Sequence, residues 1–91
     1  MHITVIRTGG FGGLTRRATL DTAGRADAAE LASLARDSLV QGRGQRPMGV
    51  PDGFHYEIVV DGNTAYCADP RLTESQSALI SKVLKEGDQE R

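Results

Sequence analysis

The chain predicts an α+β fold: a four-stranded antiparallel sheet with two helices on one face, in the order β-β-α-β-β-α. Three observations carry this prediction. Short runs of alternating apolar and polar residues come in two pairs, and a glycine-bearing turn joins each pair. Each pair is followed by a stretch with apolar residues at helical spacing. Strands grouped as hairpins, with helices after each group, favour antiparallel pairing and helices segregated to one side. The chain has 91 residues, which make one domain with a modest core. That domain is expected over residues 1–87, with Asp88 to Arg91 as a frayed tail.

His2 to Arg7 is short, β-branched and alternating, so it reads as the first strand. In Thr15 to Asp21, Arg16, Ala18 and Leu20 alternate against Thr15, Arg17 and Thr19, as in a strand wet on one side. Thr22 to Ala26 is a loop. Asp27 with Glu30 three residues on has the form of a capping box. Leu31, Leu34, Ala35, Ser38 and Leu39 then follow at helical spacing, and Gly42 offers a stop. Gly42 to Gly53 contains four glycines, two prolines and two arginines, with Met48 and Val50 as its apolar residues, and it lacks periodicity. A connection of that length in a compact domain points to mobility, function or both. Phe54, Tyr56, Ile58 and Val60 alternate against His55, Glu57 and Val59, a third strand. Asp61-Gly62-Asn63 is a tight turn, and Thr64 to Ala68 returns as the fourth strand until Pro70. Thr73 to Gln76 is a second capping box, and Leu79, Ile80, Val83 and Leu84 make an apolar stripe ending at Gly87. The two halves share their ββα order without enough similarity to call a repeat.

The connection between the first two strands is the most informative stretch: Arg7-Thr8-Gly9-Gly10-Phe11-Gly12-Gly13-Leu14-Thr15-Arg16. It holds four of the eleven glycines. Glycine loses the most entropy on ordering, so four together are a costly choice for a plain turn. Either the loop's backbone is unusual or another molecule approaches it closely. Phe11, flanked by glycines, reads as a contact residue rather than a core one.

Composition narrows the function. Charged and apolar fractions of 25% and 38% suit an ordinary soluble globule. No apolar run approaches the roughly 20 residues of a membrane span, and the start lacks the pattern of a signal peptide. A lone Cys67 makes no internal disulfide, so a cytoplasmic protein is expected. Residues 1–46 carry a balance of +3 and residues 47–91 one of −4, for a net charge of −1. With that charge and few aromatics, no nucleic-acid partner is expected, and no membrane partner either.

Catalytic chemistry has little to rest on. His2 and His55 have no ligand spacing, and Cys67 has no neighbouring cysteine. His55 and Cys67 lie on strands expected to pair, although a strand histidine and a buried thiol account for both. After the last glycine of the loop stands Leu14-Thr15 in place of the Lys-Ser/Thr of a P-loop. A strand rather than a helix follows, so no helix N-terminus awaits a phosphate. The serines lack a nucleophile-elbow context. Strand-end and helix-cap roles account for Asp21 and Asp27. The chain is expected to be no enzyme, with no cofactor and no metal of its own. A rigid scaffold presenting loops fits better, with Arg7, Phe11, Arg16 and Arg17 as anchors for a protein partner.

Arg7-x-Gly9-Gly10-x-x-Gly13-x-x-Arg16, closing a strand that starts at residue 2, resembles the emfourin family. These are small bacterial protein inhibitors of thermolysin-like zinc metallopeptidases such as protealysin. Thr19-Leu20-Asp21 resembles the family's strand ending in aspartate, and Asp52-Gly53-Phe54-His55-Tyr56 is similar to its Asp-x-Phe-x-Tyr strand start. The resemblance implies a non-enzymatic inhibitor that blocks a peptidase cleft without being turned over, monomeric when free. Arg7, Gly9, Gly10, Phe11, Gly12, Gly13, Leu14 and Arg16 are the expected contact residues. Phe11 or Leu14 would supply the large apolar side chain such enzymes favour after the scissile bond. One loop cannot fill a protease–inhibitor interface of about 1,600 Å². A second contact is expected from the 42–53 loop, the Asp61-Gly62-Asn63 tip or the N-terminus. The alternative is a small interaction module for a partner that is not a protease. A weaker one is an enzyme subunit or small-molecule binder.

Overall fold

The computed structural model describes residues 1–9, 15–44 and 53–90. Its elements are β1 (His2–Gly9), β2 (Arg16–Asp21), α1 (Ala28–Gln41), β3 (Phe54–Val60), β4 (Asn63–Ala68), α2 (Glu74–Glu86) and β5 (Asp88–Glu90). The α+β class and the antiparallel sheet are as the sequence predicts. The sheet, however, has five strands, in the order β4-β3-β1-β2-β5. The two hairpins join through their first strands, with Val5 opposite both Ala18 and Ile58, so β1 is the central strand.

The fifth strand corrects the frayed end expected for Asp88 to Glu90. These residues are polar throughout, so no alternation announces a strand. They pair with β2 as Arg17↔Glu90, Ala18↔Gln89 and Thr19↔Asp88. The partner strand supplies what the tail lacks. Arg17 forms an ion pair with Glu90, and the Gln89 side chain donates to Leu84 O (2.9 Å) and accepts from Arg16 Nε (2.9 Å).

Alternation decides which face of the sheet is buried. Ile3 and Val5, Ala18 and Leu20, Tyr56, Ile58 and Val60, and Ala65 and Cys67 are buried on one side, under α1 and α2. Leu31 and Ala35 of α1 and Leu79, Ile80, Val83 and Leu84 of α2 close the core from above. Full burial of each large aliphatic side chain contributes about 1.5–3 kcal/mol. Leu34 and Leu39 pack at the margin, whereas Val40, one position beyond the stripe, is left exposed. Thr4, Ile6, Thr8, Glu57, Val59 and Tyr66 occupy the other face, which neither α1 nor α2 covers, and they are only half-buried.

The two helix starts behave differently. In α2 the box forms: Thr73 Oγ1 accepts from Gln76 N (3.1 Å) and Gln76 Oε1 accepts from Thr73 N (3.0 Å). In α1 it does not. Asp27 stands at φ −96°, ψ 15° and makes no side-chain cap bond, because Arg25 (2.8 Å) and Lys82 (2.9 Å) take its carboxylate. Glu86 completes the cluster at 2.7 Å from Arg25, tying the start of α1 to the end of α2.

Both helices stop at glycine, as the sequence predicts, and the reason is space. Gly42 and Gly87 are extended, with negative φ. A Cβ on Gly42 would lie 2.6 Å from Ala65 Cβ, and one on Gly87 would lie 2.6 Å from Val83 O and 2.9 Å from Thr19 O. After Gly42, Arg43 bridges Tyr66 with backbone bonds of 2.8 Å in both directions and covers part of the β4 edge. Residues 45–52 of the connection, with Met48 and Val50, lie outside the described residues.

Candidate partner-binding end of the sheet

Antiparallel strands sort the turns onto two ends. β1 finishes, β2 begins, β3 begins and β4 finishes at one end, marked by the backbone pair Gly9↔Phe54 and by Asp69 N donating to Phe54 O (3.0 Å). The other end gathers the N-terminus, the Asp61-Gly62 turn and the exit of β2. There His2 N donates to Asp61 Oδ1 (2.8 Å) and Thr22 N donates to Met1 O (3.0 Å). The second-contact candidates are thereby separated. Gly53, the end of the 42–53 connection, sits beside Gly9 at the loop's stem, while the 61–63 tip and the N-terminus are at the far end.

Of the expected contact residues, Gly10, Phe11, Gly12, Gly13 and Leu14 lie outside the described residues. The stems that carry them are described. Gly9 has φ +93°, a region side chains rarely adopt, and a Cβ there would lie 2.9 Å from Gly53 O and 3.6 Å from His55 Cδ2. Glycine is therefore required at this position both by conformation and by the approach of the β3 strand start.

Arg7 faces the helix side of the sheet, opposite Tyr56, and its guanidinium lies 4.4 Å from the centroid of the Phe54 ring. That is a cation–π contact. Its Nε is buried without a hydrogen-bond partner among the described residues. Phe54 in turn meets Tyr56, with ring centroids 6.4 Å apart. Burial raises the Tyr56 phenol above its usual range, and the Asp69 carboxylate beside it adds to the rise.

Arg16, at the other stem, turns back to α2. Its Nη2 donates to Leu84 O (2.6 Å), so a cation caps the carbonyl end of the helix, where it favours the macrodipole. Arg17 points to the opposite face and to Glu90. The sequence missed this division of labour, because the cap comes from a helix nearly seventy residues further on. It also left Asp69 to Arg71 as a mere break after β4, although Pro70 signals a turn. Arg71 N donates to Ala68 O (3.0 Å), and the Arg71 side chain is exposed.

The residues weighed for catalysis do not converge. The register sets Tyr56, not His55, opposite Cys67, so His55 and Cys67 fall on opposite faces of the sheet. Cys67 is buried, and burial pushes its thiol up to about 11. Asp21 lies at the far end, its carboxyl lowered first by the Ala23 amide and then by His2 and the N-terminal amine. Asp27 belongs to the ion cluster between the helices. Among the described residues no group of three or more His, Cys, Asp or Glu could hold a metal ion, and no helix is long and apolar enough to cross a membrane.

Fold and site together define a small α+β protein that carries paired loop stems at one end of an antiparallel sheet. The chain belongs to the emfourin family, whose model matches residues 5–84. Family membership implies a protease-inhibitor role and a protein partner. No curated protein and no solved structure matches the chain.

Proposed function

We propose that the protein inhibits a thermolysin-like zinc metallopeptidase by lodging its glycine loop in the active-site cleft. The family match over residues 5–84 carries this reading. A peptidase cleft binds extended main chain, and Gly9, Gly10, Gly12 and Gly13 keep that main chain accessible. Phe11 or Leu14 fills the apolar subsite after the scissile bond. Arg7 and Arg16 stand at the rim, where their contacts with Phe54 and Leu84 support the two stems. The zinc belongs to the enzyme, and the inhibitor carries no metal or cofactor. It acts as a monomer, in the cytoplasm, where a single unpaired cysteine is ordinary. Titrating the protein into several peptidases of this class, with peptide hydrolysis as the readout, tests the proposal. Stoichiometric loss of activity is expected, and full activity at micromolar excess against all of them would overturn it.

A further inference from the structure

We propose that the inhibitor's second contact surface is the corner where β3 starts and β4 ends, formed by Gly53, Phe54 and Asp69 to Arg71, and that it docks on an acidic rim of the target's cleft. The inference rests on the inhibitory reading above and deepens it. A standard interface takes about 800 Å² from each partner, more than a single hairpin loop offers. The remainder must come from surface that reaches the same cleft. Among the described residues, the N-terminus and the Asp61-Gly62 turn are bound to each other at the opposite end of the sheet. The β3–β4 corner instead adjoins the loop stem directly. Gly53 O fills the space where a Gly9 side chain would stand, Phe54 lies under Arg7, and Asp69 N is bonded to Phe54 O. A body that reaches the loop stem at Arg7 and Gly9 therefore lies next to this corner.

The charge at this end indicates the partner's chemistry. Arg71 is exposed and has no ion pair among the described residues. Arg7 rests on an aromatic face, and Arg16 donates to a carbonyl and an amide oxygen, so neither cation meets a carboxylate among the described residues. Among the described residues at this end, Asp69 is the opposing charge at the corner itself, and Glu90 is taken by Arg17. The far end carries Asp21 and Asp61 instead. A surface with uncompensated cations at its edge is complementary to an acidic one, and such rim charges act on the rate of encounter.

The test compares Arg71→Glu with Asn63→Arg, a charge change at the opposite end, in inhibition assays against the peptidase that the wild-type chain inhibits. Arg71→Glu is expected to weaken inhibition roughly tenfold or more, mainly through slower association, while Asn63→Arg stays within roughly twofold. Thermal melts of both variants, and of Arg71→Ala, separate a contact effect from misfolding. Added salt is expected to slow association of the wild type more than of Arg71→Ala. Unchanged inhibition by a folded Arg71→Glu variant, or a defect in Asn63→Arg alone, would overturn the inference and leave the inhibitory function standing. Absence of inhibition by the wild-type chain would remove both.

Discussion

Truncating Phe11 to Ala separates a binding role from a packing role for the one aromatic in the glycine loop. If Phe11 is the anchor proposed above, its apolar area is what a partner pocket gains, at roughly 25 cal/mol per Å². Phe11→Ala is expected to cost about 2 kcal/mol or more of binding, as a central aromatic anchor does, with an unchanged melting temperature. A lower melting temperature with intrinsic affinity retained would assign Phe11 to the core instead. Cys67 gives a second prediction at this scale. Burial disfavours the thiolate and pushes the Cys67 thiol from 9.0 up to about 11 on folding. Between those values the native chain keeps a proton that the unfolded chain has released. Stability should therefore fall as pH rises through that window, by an upper bound of roughly 3 kcal/mol. The raised phenol of Tyr56 acts in the same direction. Urea melts across alkaline pH measure the loss, and a disulfide reagent should label Cys67 slowly in the native state and rapidly in urea.

The helix starts show how far local sequence reaches. Thr73 to Gln76 and Asp27 to Glu30 carry the same kind of signal, yet only the first closes as a box. Thr73→Ala should therefore cost about 1 kcal/mol, readable in a denaturant melt. Asp27→Asn should act differently, since its carboxylate serves Arg25 and Lys82 rather than the helix amides. Those two cations hold the Asp27 carboxyl well below the usual carboxylate range, and Arg25 lowers that of Glu86. A depressed carboxyl contributes stability that is present above its unfolded value and lost as pH falls through its folded one. The gap between wild type and Asp27→Asn should be open at neutral pH and close in strong acid. Nothing within a window around Asp27 announces Lys82, which arrives from the second helix. The alternating strands and apolar stripes were legible because their period is local. The Asp27 cluster, the Arg16 cap and β5 were not, because each is completed by a partner distant in sequence. The site was legible to the same extent. Gly9 announced itself by its composition and Gly53 as the end of the 42–53 connection, whereas the place of Arg71 at the same end of the sheet follows only from the register of β1, β3 and β4.

At the scale of the whole molecule, the direction of β5 has a practical outcome. The strand runs from Asp88 opposite Thr19 to Glu90 opposite Arg17, toward the beginning of β2. The backbone thus leaves the sheet on the glycine-loop side, whereas Met1 is anchored to Thr22 at the other side. If the glycine-loop end is the binding end, as proposed above, the N-terminus is a handle placed opposite to it. Immobilised through an N-terminal tag on a sensor surface, the protein should present its loop outward and capture peptidase at full capacity. The same tag fused after Arg91 should crowd the tip and reduce capture, most of all when no flexible spacer intervenes. Equal capacity in the two orientations would mean that the peptidase approaches from elsewhere.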